Sequence, residues 1–460
     1  MLAEDGQRVA LVEKRFVGGS CTNVGCTPTK AHIAAAKIAH SVRVAGQFGV
    51  GARLERVDLR AIVKRTQGIV EEFRRENEEH LLATPGLELI YGTARFSGDD
   101  SIEVKLREGR ARTLSAPRFV VAVGTKAQIP DVKGLLDVPF MTHVEALQLE
   151  EVPRHLLILG GGYIACEFAQ MFARFGARVT IVQNGEQLLP REDEDVATAI
   201  AEVLRDSGIE IVLGEELISV KSAAQGLVAT WGEKERRFSH LLVATGQTPQ
   251  TKDLGLDVVG VKLDEKGNIE TDENMRSGNP RIYALGDCKG GPQFTHIAYD
   301  DARILCEGLS HGKWRSIKER PVPYTVFTDP QLGRIGLSEK EACQQGKRFG
   351  VAHLAMKETA RGVESGQEQG MWKILVEQGS DQILGGAFLS GEGGETMAVL
   401  QMAMMAKMPY GALRDGIFAH PTWAESLNNV FLNFDRQKEK GDGESSQDDK
   451  RCHSEGAFGE

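Results

Sequence analysis

A buried strand, a glycine-rich turn and a helix follow one another near the centre of the sequence. The apolar run 156–159 leads into GGGYIA at residues 160–165, which fits the pattern G-x-G-x-x-A. The glycines let the backbone approach a diphosphate, the helix N-terminus offers N–H donors, and a small third residue permits close helix packing. The motif predicts a dinucleotide-binding βαβ unit, with Gly160, Gly162 and Ala165 at the cofactor.

The residue after the second strand of such a unit contacts the adenosine ribose of the cofactor. Here the apolar run 179–182 is followed by Gln183, about twenty residues after the glycines. An acidic residue there would bind the ribose diol of NADH, and nearby arginines would hold the 2′-phosphate of NADPH. Gln183 offers neither, so the choice between NADH and NADPH stays open.

Short apolar runs alternate with helical patterns along most of the chain. Continuous apolar runs of this length are typical of parallel strands covered by helices on both faces. From residue 321 the pattern changes to strands followed by a helix at about 396–408, which indicates an α+β unit with an antiparallel sheet. We therefore predict an α/β fold, with two doubly wound, Rossmann-like nucleotide-binding domains and a C-terminal α+β domain.

Composition excludes several classes of partner. The 65 acidic and 55 basic residues give a formal net charge of -10, so there is no broad cationic surface for nucleic acid or an anionic membrane. No apolar stretch approaches the ~18 residues of a membrane span, and the N-terminal residues lack a signal-peptide layout. We expect a cytoplasmic protein that binds neither nucleic acid nor membrane.

Two of the seven cysteines lie close together. Cys21 and Cys26 stand between the apolar run 9–12 and a helical stretch at 31–42. A C-x4-C pair at a helix N-terminus can close a disulfide, and the helix dipole there lowers thiol pKa values. A structural disulfide and half of a zinc site are the alternatives, but zinc prefers C-x2-C spacing and no second pair exists. We predict a pair for two-electron exchange and no bound metal ion.

The segment GGSCTNVGCTPTK at 18–30 resembles the redox-active signature of the flavin-dependent pyridine nucleotide-disulfide oxidoreductases. This family includes lipoamide dehydrogenase, glutathione reductase and mercuric reductase. The resemblance implies FAD and NAD(P)H as cofactors, with Cys21 as the thiol that meets the substrate and Cys26 as the thiolate against the flavin. It also implies that Lys30 lies near the flavin N5 and pairs with Glu167.

Further motifs extend the resemblance to about residue 434. IYALGD ends in Asp287 and is similar to the second FAD fingerprint of the family, in which the aspartate accepts a hydrogen bond from the ribityl chain. A helix expected to begin near His296 would point its N-terminus at the N1/O2 edge of the flavin. The turns at Gly124 and Gly246 resemble the crossovers between the two nucleotide domains.

The string HPTWAE at 420–425 resembles the family pattern H-P-T-x-x-E. A histidine can take and return a thiol proton near neutral pH, and a carboxylate orients its ring. A helix-capping histidine is the alternative. In the family this pair reaches the disulfide of the other subunit, so the resemblance implies a homodimer in which His420 and Glu425 complete the partner's site.

The family's FAD domain begins with a strand and a G-x-G-x-x-G turn of its own, whereas this sequence starts at what matches the end of the following helix. Glu13 then matches the acidic residue that binds the adenosine ribose. We expect Met1 to be an internal methionine of a longer protein, with roughly twenty to thirty residues of a βα unit before it. Without that unit we expect open strand edges and doubtful FAD binding.

The resemblance implies five segments. They are the FAD domain at 1–148 with a second part at 271–320, an NAD(P) domain at 149–270, a dimerisation domain at 321–435 and a disordered tail at 436–460.

The strings FTHIAYDD at 294–301 and LPRED at 189–193 are similar to the mercuric-reductase-like branch, which includes bacterial stress flavoproteins that reduce metal ions. The tail has only Cys452 where mercuric reductases carry a vicinal cysteine pair. That pair hands the metal ion to the active site in mercuric reductases, so the delivery device is missing here. The resemblance as a whole implies NAD(P)H-dependent reduction of a disulfide or of a thiophilic metal ion as electron acceptor. Lipoamide dehydrogenase activity, NAD(P)H–quinone reduction and a flavin-less remnant without turnover are the alternatives.

Overall fold

A computed structural model of the protein describes residues 1–318 and 320–441. The chain has the predicted α/β architecture, with parallel strands in its first two thirds and an antiparallel sheet at its C-terminal end. Cys452 and the tail from residue 442 lie outside the described residues. No helix in the described part is long and apolar enough to cross a membrane.

The N-terminal unit pairs its first strand in parallel with a long second strand, which continues into an antiparallel meander. Its elements are β1 (Val9–Glu13), α1 (Gly19–Val24), α2 (Cys26–Val44), α3 (Leu59–Ala83), β2 (Leu87–Gly98), β3 (Ser101–Leu106), β4 (Ala111–Ser115), β5 (Phe119–Val121), β6 (Thr125–Ala127) and α4 (His143–Ala146), with 3-10 turns at Ala45–Phe48 and Leu135–Asp137.

The middle unit is a parallel sheet in the order β13-β7-β8-β9, joined to an antiparallel three-stranded sheet, β10-β11-β12. Its elements are β7 (His155–Leu159), α5 (Tyr163–Phe175), β8 (Arg178–Val182), α6 (Glu194–Asp206), β9 (Glu210–Val212), β10 (Leu217–Ala223), β11 (Gly226–Trp231), β12 (Lys234–Phe238), β13 (His240–Val243) and β14 (Gln247–Pro249). Residues 156–158 are fully buried, which explains why the strand reads as an uninterrupted apolar run.

The chain crosses between the two units twice. β6 leads toward the middle unit and β14 leads back, and the two pair antiparallel. The chain then forms β15 (Ile282–Ala284), a 3-10 turn at Gly286–Lys289 and α7 (Thr295–His311). β15 pairs in parallel with β5, so this segment packs with the N-terminal unit.

Two strands of the N-terminal unit have a free edge within the described residues. β1 has β2 as its only neighbour in its sheet, and β5 has only β15. Both strands line the same cavity, and their residues Leu11 and Val120 are 37% and 38% exposed. Open edges are what the sequence predicts here, and their unpaired N–H and C=O groups face the cavity.

The C-terminal unit is a five-stranded antiparallel sheet in the order β16-β17-β20-β19-β18, with α10 packed against β17 and β20. Its elements are β16 (Tyr324–Val326), β17 (Gln331–Gly336), α8 (Glu339–Gln344), β18 (Phe349–Ala355), a 3-10 turn at Met356–Glu358, α9 (Ala360–Glu364), β19 (Met371–Glu377), β20 (Ile383–Ser390), α10 (Gly393–Met405), α11 (Tyr410–Arg414) and α12 (Ser426–Gly441). The domain boundary predicted at residue 436 falls inside α12.

Buried charges join the middle unit to the C-terminal unit. Lys373 is 3% exposed and places its Nζ 3.1 Å from Asp193 and 2.8 Å from Asp195. Arg334, also buried, donates from Nε to Glu192 over 3.2 Å. Removing one partner of such a pair leaves an uncompensated buried charge, so these contacts fix the two units against each other.

Candidate active site

A cavity of about 3230 Å³ opens between the two free strand edges and the helices α2 and α7. Pockets for small ligands span roughly 300–1,000 Å³, so this one is large enough for an extended dinucleotide cofactor. Eight of the residues predicted from the sequence line it, namely Glu13, Cys21, Cys26, Lys30, Gly124, Glu167, Asp287 and His296.

The cysteine pair sits where two helices meet. Cys21 lies in the short helix α1, and Cys26 is the first residue of α2. A methyl group on Gly25 would lie 2.9 Å from the carbonyl oxygen of Ser20, so only glycine lets the chain turn this tightly between them. Both sulfurs are thiols in this structure. The helix predicted to begin at residue 31 starts five residues earlier, with its N-terminus at the second cysteine.

The two thiols have opposite electrostatic properties. The hydrogen bond from the Cys21 thiol, helped by Thr295 and the charge of Lys30 and opposed by burial, lowers the pKa of Cys26 to about 6. The same hydrogen bond, together with burial, raises the pKa of Cys21 above that of a free thiol. The prediction that the helix N-terminus lowers thiol pKa values therefore applies to Cys26 alone, because one proton is shared between neighbouring sulfurs.

We expect the reduced protein to carry a Cys26 thiolate that titrates near pH 6. Because the lowered pKa favours the charged form, the thiolate persists above pH 6, and alkylation of Cys26 slows about tenfold for each pH unit below it. The rate of iodoacetamide labelling between pH 4.5 and 8.5, followed by peptide mass spectrometry, measures this. Thr295→Val removes a hydrogen bond and is expected to raise the apparent pKa. A midpoint near that of a free thiol in the unaltered protein would contradict the assignment.

Thr295 is a site residue that sequence reasoning missed. Its Oγ1 lies 3.6 Å from the Cys26 sulfur, and its hydrogen bonds lower the pKa values of both thiols. Thr295 opens α7, directly before the predicted His296. The signal was present, since the first residue of a predicted helix is where a ligand or thiolate meets free N–H groups.

Lys30 and Glu167 form the ion pair that the resemblance implies. Lys30 Nζ donates to the two carboxylate oxygens of Glu167 over 2.8 and 3.1 Å, and it lies 4.7 Å from the centre of the Phe327 ring. Glu167 is 2% exposed and also accepts from the backbone N–H of Phe327 over 2.9 Å. This network joins α2, α5 and the C-terminal unit, and holds the lysine ammonium at the cavity wall beside Cys26.

Asp287 and His296 also line the cavity. Burial raises the pKa of the Asp287 carboxyl, which accepts from the Thr125 hydroxyl over 3.3 Å. The imidazole of His296 lies 2.7 Å from the carbonyl oxygen of Pro323 and stacks on Phe294. The contact with Pro323 thus holds the imidazole of His296 against the following loop. The N-terminus of α7 borders the cavity.

Glu13 stands at the end of β1, and its carboxylate accepts from the backbone N–H of Arg15 over 2.6 Å. An acceptor at the carboxyl end of a parallel strand is the usual ligand of an adenosine ribose. Glu13, the Lys30 ammonium, Asp287 and the N-terminus of α7 therefore supply groups that fit the adenosine, flavin and ribityl parts of FAD.

The glycine-rich turn of the middle unit has the geometry expected of a second nucleotide site. Gly160 has φ +108°, and a methyl group there would lie 2.5 Å from the carbonyl oxygen of Ala244. Gly162 directly precedes α5, and Ala165 is fully buried. The turn therefore needs glycine, and it presents the N-terminus of a 13-residue helix to a diphosphate.

The remaining predicted residues lie elsewhere. Gly246 has φ +131°, and its carbonyl oxygen accepts from the N–H of Gln128 at the crossover. His420 Nδ1 lies 2.9 Å from Glu425 Oε2, as the motif predicts, and the histidine side chain is 66% exposed. Neither His420 nor Glu425 lines the cavity that holds Cys21 and Cys26.

Comparison with known proteins gives a consistent answer. Residues 1–302 match the family described as pyridine nucleotide-disulphide oxidoreductase, and residues 322–431 match its dimerisation domain. The chain is 33% identical to a mercuric reductase of Streptomyces lividans, over 93% of this chain and 91% of that protein. It is also 33% identical to the probable pyridine nucleotide-disulfide oxidoreductase RclA of Escherichia coli, over 94% of each.

A solved structure agrees with these sequences. The Cu(II) complex of the HOCl-induced flavoprotein disulfide reductase RclA from Escherichia coli superimposes with a TM-score of 0.86 at 33% identity. The match covers 94% of this chain and 96% of that one.

Proposed function

The chain belongs to the pyridine nucleotide-disulphide oxidoreductase family, and we propose that it reduces a disulfide or a thiophilic metal ion with electrons from NAD(P)H. The observation that carries this proposal is the Cys21–Cys26 pair in the wall of a dinucleotide-sized cavity. There the pKa of Cys26 is lowered to about 6, and the Lys30–Glu167 ion pair lies alongside.

The electrons balance in two half-reactions. NAD(P)H gives up a hydride, and the Cys21–Cys26 disulfide takes two electrons and one proton to become a thiol and a thiolate. Cys21 then attacks a substrate disulfide and releases its first sulfur, and Cys26 attacks the resulting mixed disulfide and releases the second. The Cys21–Cys26 disulfide re-forms, and the substrate leaves as one thiol and one thiolate, which takes its proton from water. A thiophilic metal ion bound by the soft sulfurs would instead accept these electrons as the disulfide re-forms, two for one mercuric ion or one for each of two cupric ions.

FAD fits this cavity as the family's cofactor, and the chemistry it supplies when bound is two-electron transfer between a reduced nicotinamide and the cysteine pair. Glu13 would bind its adenosine ribose and Asp287 its ribityl chain. The Lys30 ammonium would favour negative charge on the ring beside Cys26. Glu167, buried and hydrogen-bonded to Lys30, positions that ammonium.

Cys21 needs a base, because its raised pKa keeps its proton on sulfur in the dithiol. We propose His420, oriented by Glu425, for this role. His420 is exposed and Glu425 is half-buried, and neither lines the cavity of its own chain. A second copy joined through the dimerisation domain, proposed at 321–435, would bring the pair to the cysteines.

The names of the relatives support a metal ion as well as a disulfide, since RclA is itself called a disulfide reductase. One is a mercuric reductase and another was solved as a copper(II) complex. Both ions are thiophilic, and soft metals select thiolate ligands. Cys26, with its low pKa, offers a thiolate at neutral pH without further activation.

We expect NADH or NADPH to open the Cys21–Cys26 disulfide in the flavin-loaded protein. The oxidised protein is incubated anaerobically with reduced nicotinamide and alkylated, and labelled peptides are identified by mass spectrometry. Both cysteines should gain label, while the buried Cys166 and Cys288 serve as internal references that stay unlabelled. If Cys21 and Cys26 remain unlabelled although the flavin is reduced, the proposed pathway is wrong.

A further inference from the structure

We infer that the glycine-rich turn of the middle unit selects NADH over NADPH, and that Glu186 is the residue that rejects the 2′-phosphate. The inference rests on the proposed function, since it takes that turn as the binding site of the reduced nicotinamide. It adds a choice between two cofactors that the sequence motif alone leaves open.

The adenosine end of this site is fixed by the parallel strands. Cofactors bind beyond the carboxyl ends of such strands, and the residue after the second strand faces the ribose. That residue is Gln183, whose N–H donates to Val212 over 2.9 Å. A methyl group on Gly161 would lie 2.9 Å from Cγ of Gln183, so the glutamine side chain lies across the glycine-rich turn. The ribose hydroxyls of a bound dinucleotide would therefore meet the segment 183–187.

This segment runs beside the end of β9. The N–H of Gly214 donates to Gly185 over 3.0 Å, and the N–H of Glu215 donates to Gln183 over 3.2 Å. The side chain of Glu186 folds over the neighbouring segment, because a methyl group on Gly214 would lie 3.1 Å from its Oε1. The Glu186 carboxylate therefore lies beside Gly214, close to where β9 ends.

The two segments that adjoin here carry only negative charges. They read QNGEQ at 183–187 and LGEE at 213–216, with three glutamates and neither lysine nor arginine. The next cation along the chain, Arg191, acts on two tyrosines of the cavity wall, Tyr163 and Tyr324, where its charge offsets part of the rise that burial causes in their pKa values. A 2′-phosphate would bring about two negative charges to the glutamates of these segments, which contain no cation to pair with it.

Gln183 and Glu186 favour NADH over NADPH in different ways. The neutral amide of Gln183 can donate to one ribose hydroxyl and accept from the other. NADH has both hydroxyls, whereas the 2′-hydroxyl of NADPH is replaced by a phosphate ester. Glu186 adds repulsion against the phosphate, and specificity commonly depends on such an unfavourable contact with the wrong ligand. Because Glu186 is exposed to solvent, screening limits the effect, and we expect a preference of about tenfold or more.

The test measures binding, so it needs no turnover. Isothermal titration with NAD⁺ and with NADP⁺ is carried out on the purified chain and on Glu186→Gln and Glu186→Arg. We expect NAD⁺ to bind at least about tenfold more tightly than NADP⁺, the ratio to narrow in Glu186→Gln, and the preference to disappear or reverse in Glu186→Arg. Glu265→Arg, an exposed charge reversal in a turn outside both nucleotide sites, is the matched control and should keep the ratio of the unaltered protein.

Equal affinity for both nucleotides, tighter binding of NADP⁺, or an unchanged ratio in Glu186→Arg would overturn the inference. If neither nucleotide binds, the inference falls together with the proposed function. Selective binding of NAD⁺ in a protein whose cysteines NADH does not open would leave this inference standing and count against the proposed redox pathway alone.

Discussion

Cys21→Ser is expected to lower the rate of disulfide or metal-ion reduction by on the order of a thousandfold or more, because a serine hydroxyl can neither form the disulfide nor transfer its electrons. The same variant should keep most of its NAD(P)H-dependent reduction of a soluble quinone, since that reaction would take electrons from the flavin directly. Steady-state rates with a small disulfide, with mercuric or copper ions and with a quinone measure the contrast.

A matched control exists in the same cavity. Cys306 lines the cavity wall, is half-buried and is a free thiol outside the pair, so Cys306→Ser tests whether the loss of any cavity thiol has the same effect. We expect Cys306→Ser to keep all three activities. Full metal-ion or disulfide turnover in Cys21→Ser would show that the cysteine pair is not on the electron path and would favour the quinone-reductase alternative.

Local chemistry explains which parts of the fold the sequence predicts. The strand at 156–159 is recognisable because both its faces are buried, so every residue is apolar. The turn at Gly160 is recognisable because a side chain would collide with the carbonyl oxygen of Ala244. In both cases the local structural requirement fixes the type of residue at each position, so the sequence shows it directly. Glu167 is predicted differently, through the family resemblance that pairs it with Lys30.

Interactions between distant segments are harder to predict. Thr295 contacts the Cys26 sulfur across 269 positions of sequence. Its place at the start of a helix can be predicted from the sequence, but the thiol that it contacts cannot. The raised pKa of Cys21 depends on its neighbour as hydrogen-bond acceptor and on burial, and neither follows from the C-x4-C spacing. The position of Glu186 beside Gly214 likewise requires the register of two strands.

The reduced pair keeps its proton on Cys21 and its negative charge on Cys26, which explains why Cys21 needs a base. Cys26 is held as a thiolate by its partner's hydrogen bond, so the proton of the pair resides on Cys21. Attack by Cys21 on a substrate therefore requires that proton to leave. Within the described residues of one chain, the cavity lining contains His143 and His296. Burial lowers the pKa of His143, and His296 is bound to Pro323, which leaves the exposed His420 of a second copy as the proposed acceptor.

Mixed dimers test this arrangement directly. Cys21→Ser and His420→Ala are each expected to be inactive toward disulfides, with the histidine change costing about 10²–10⁴-fold. If the histidine acts on the partner's cysteines, a purified heterodimer of the two variants contains one fully intact site, and its activity returns to about half that of the unaltered dimer. Co-expression with two affinity tags yields this heterodimer, and a doubly tagged unaltered dimer is the control.

The same experiment separates the alternatives because each predicts a different number of intact sites. A histidine that served its own subunit would leave both sites of the heterodimer damaged, one at Cys21 and one at His420, and activity would stay at the level of the single variants. Glu425→Gln in place of His420→Ala should give a milder loss, since the ring keeps its proton-transfer chemistry and loses only the carboxylate that lies 2.9 Å from Nδ1. Restored activity in the heterodimer, together with that graded loss, would place the proton acceptor of Cys21 on the neighbouring chain.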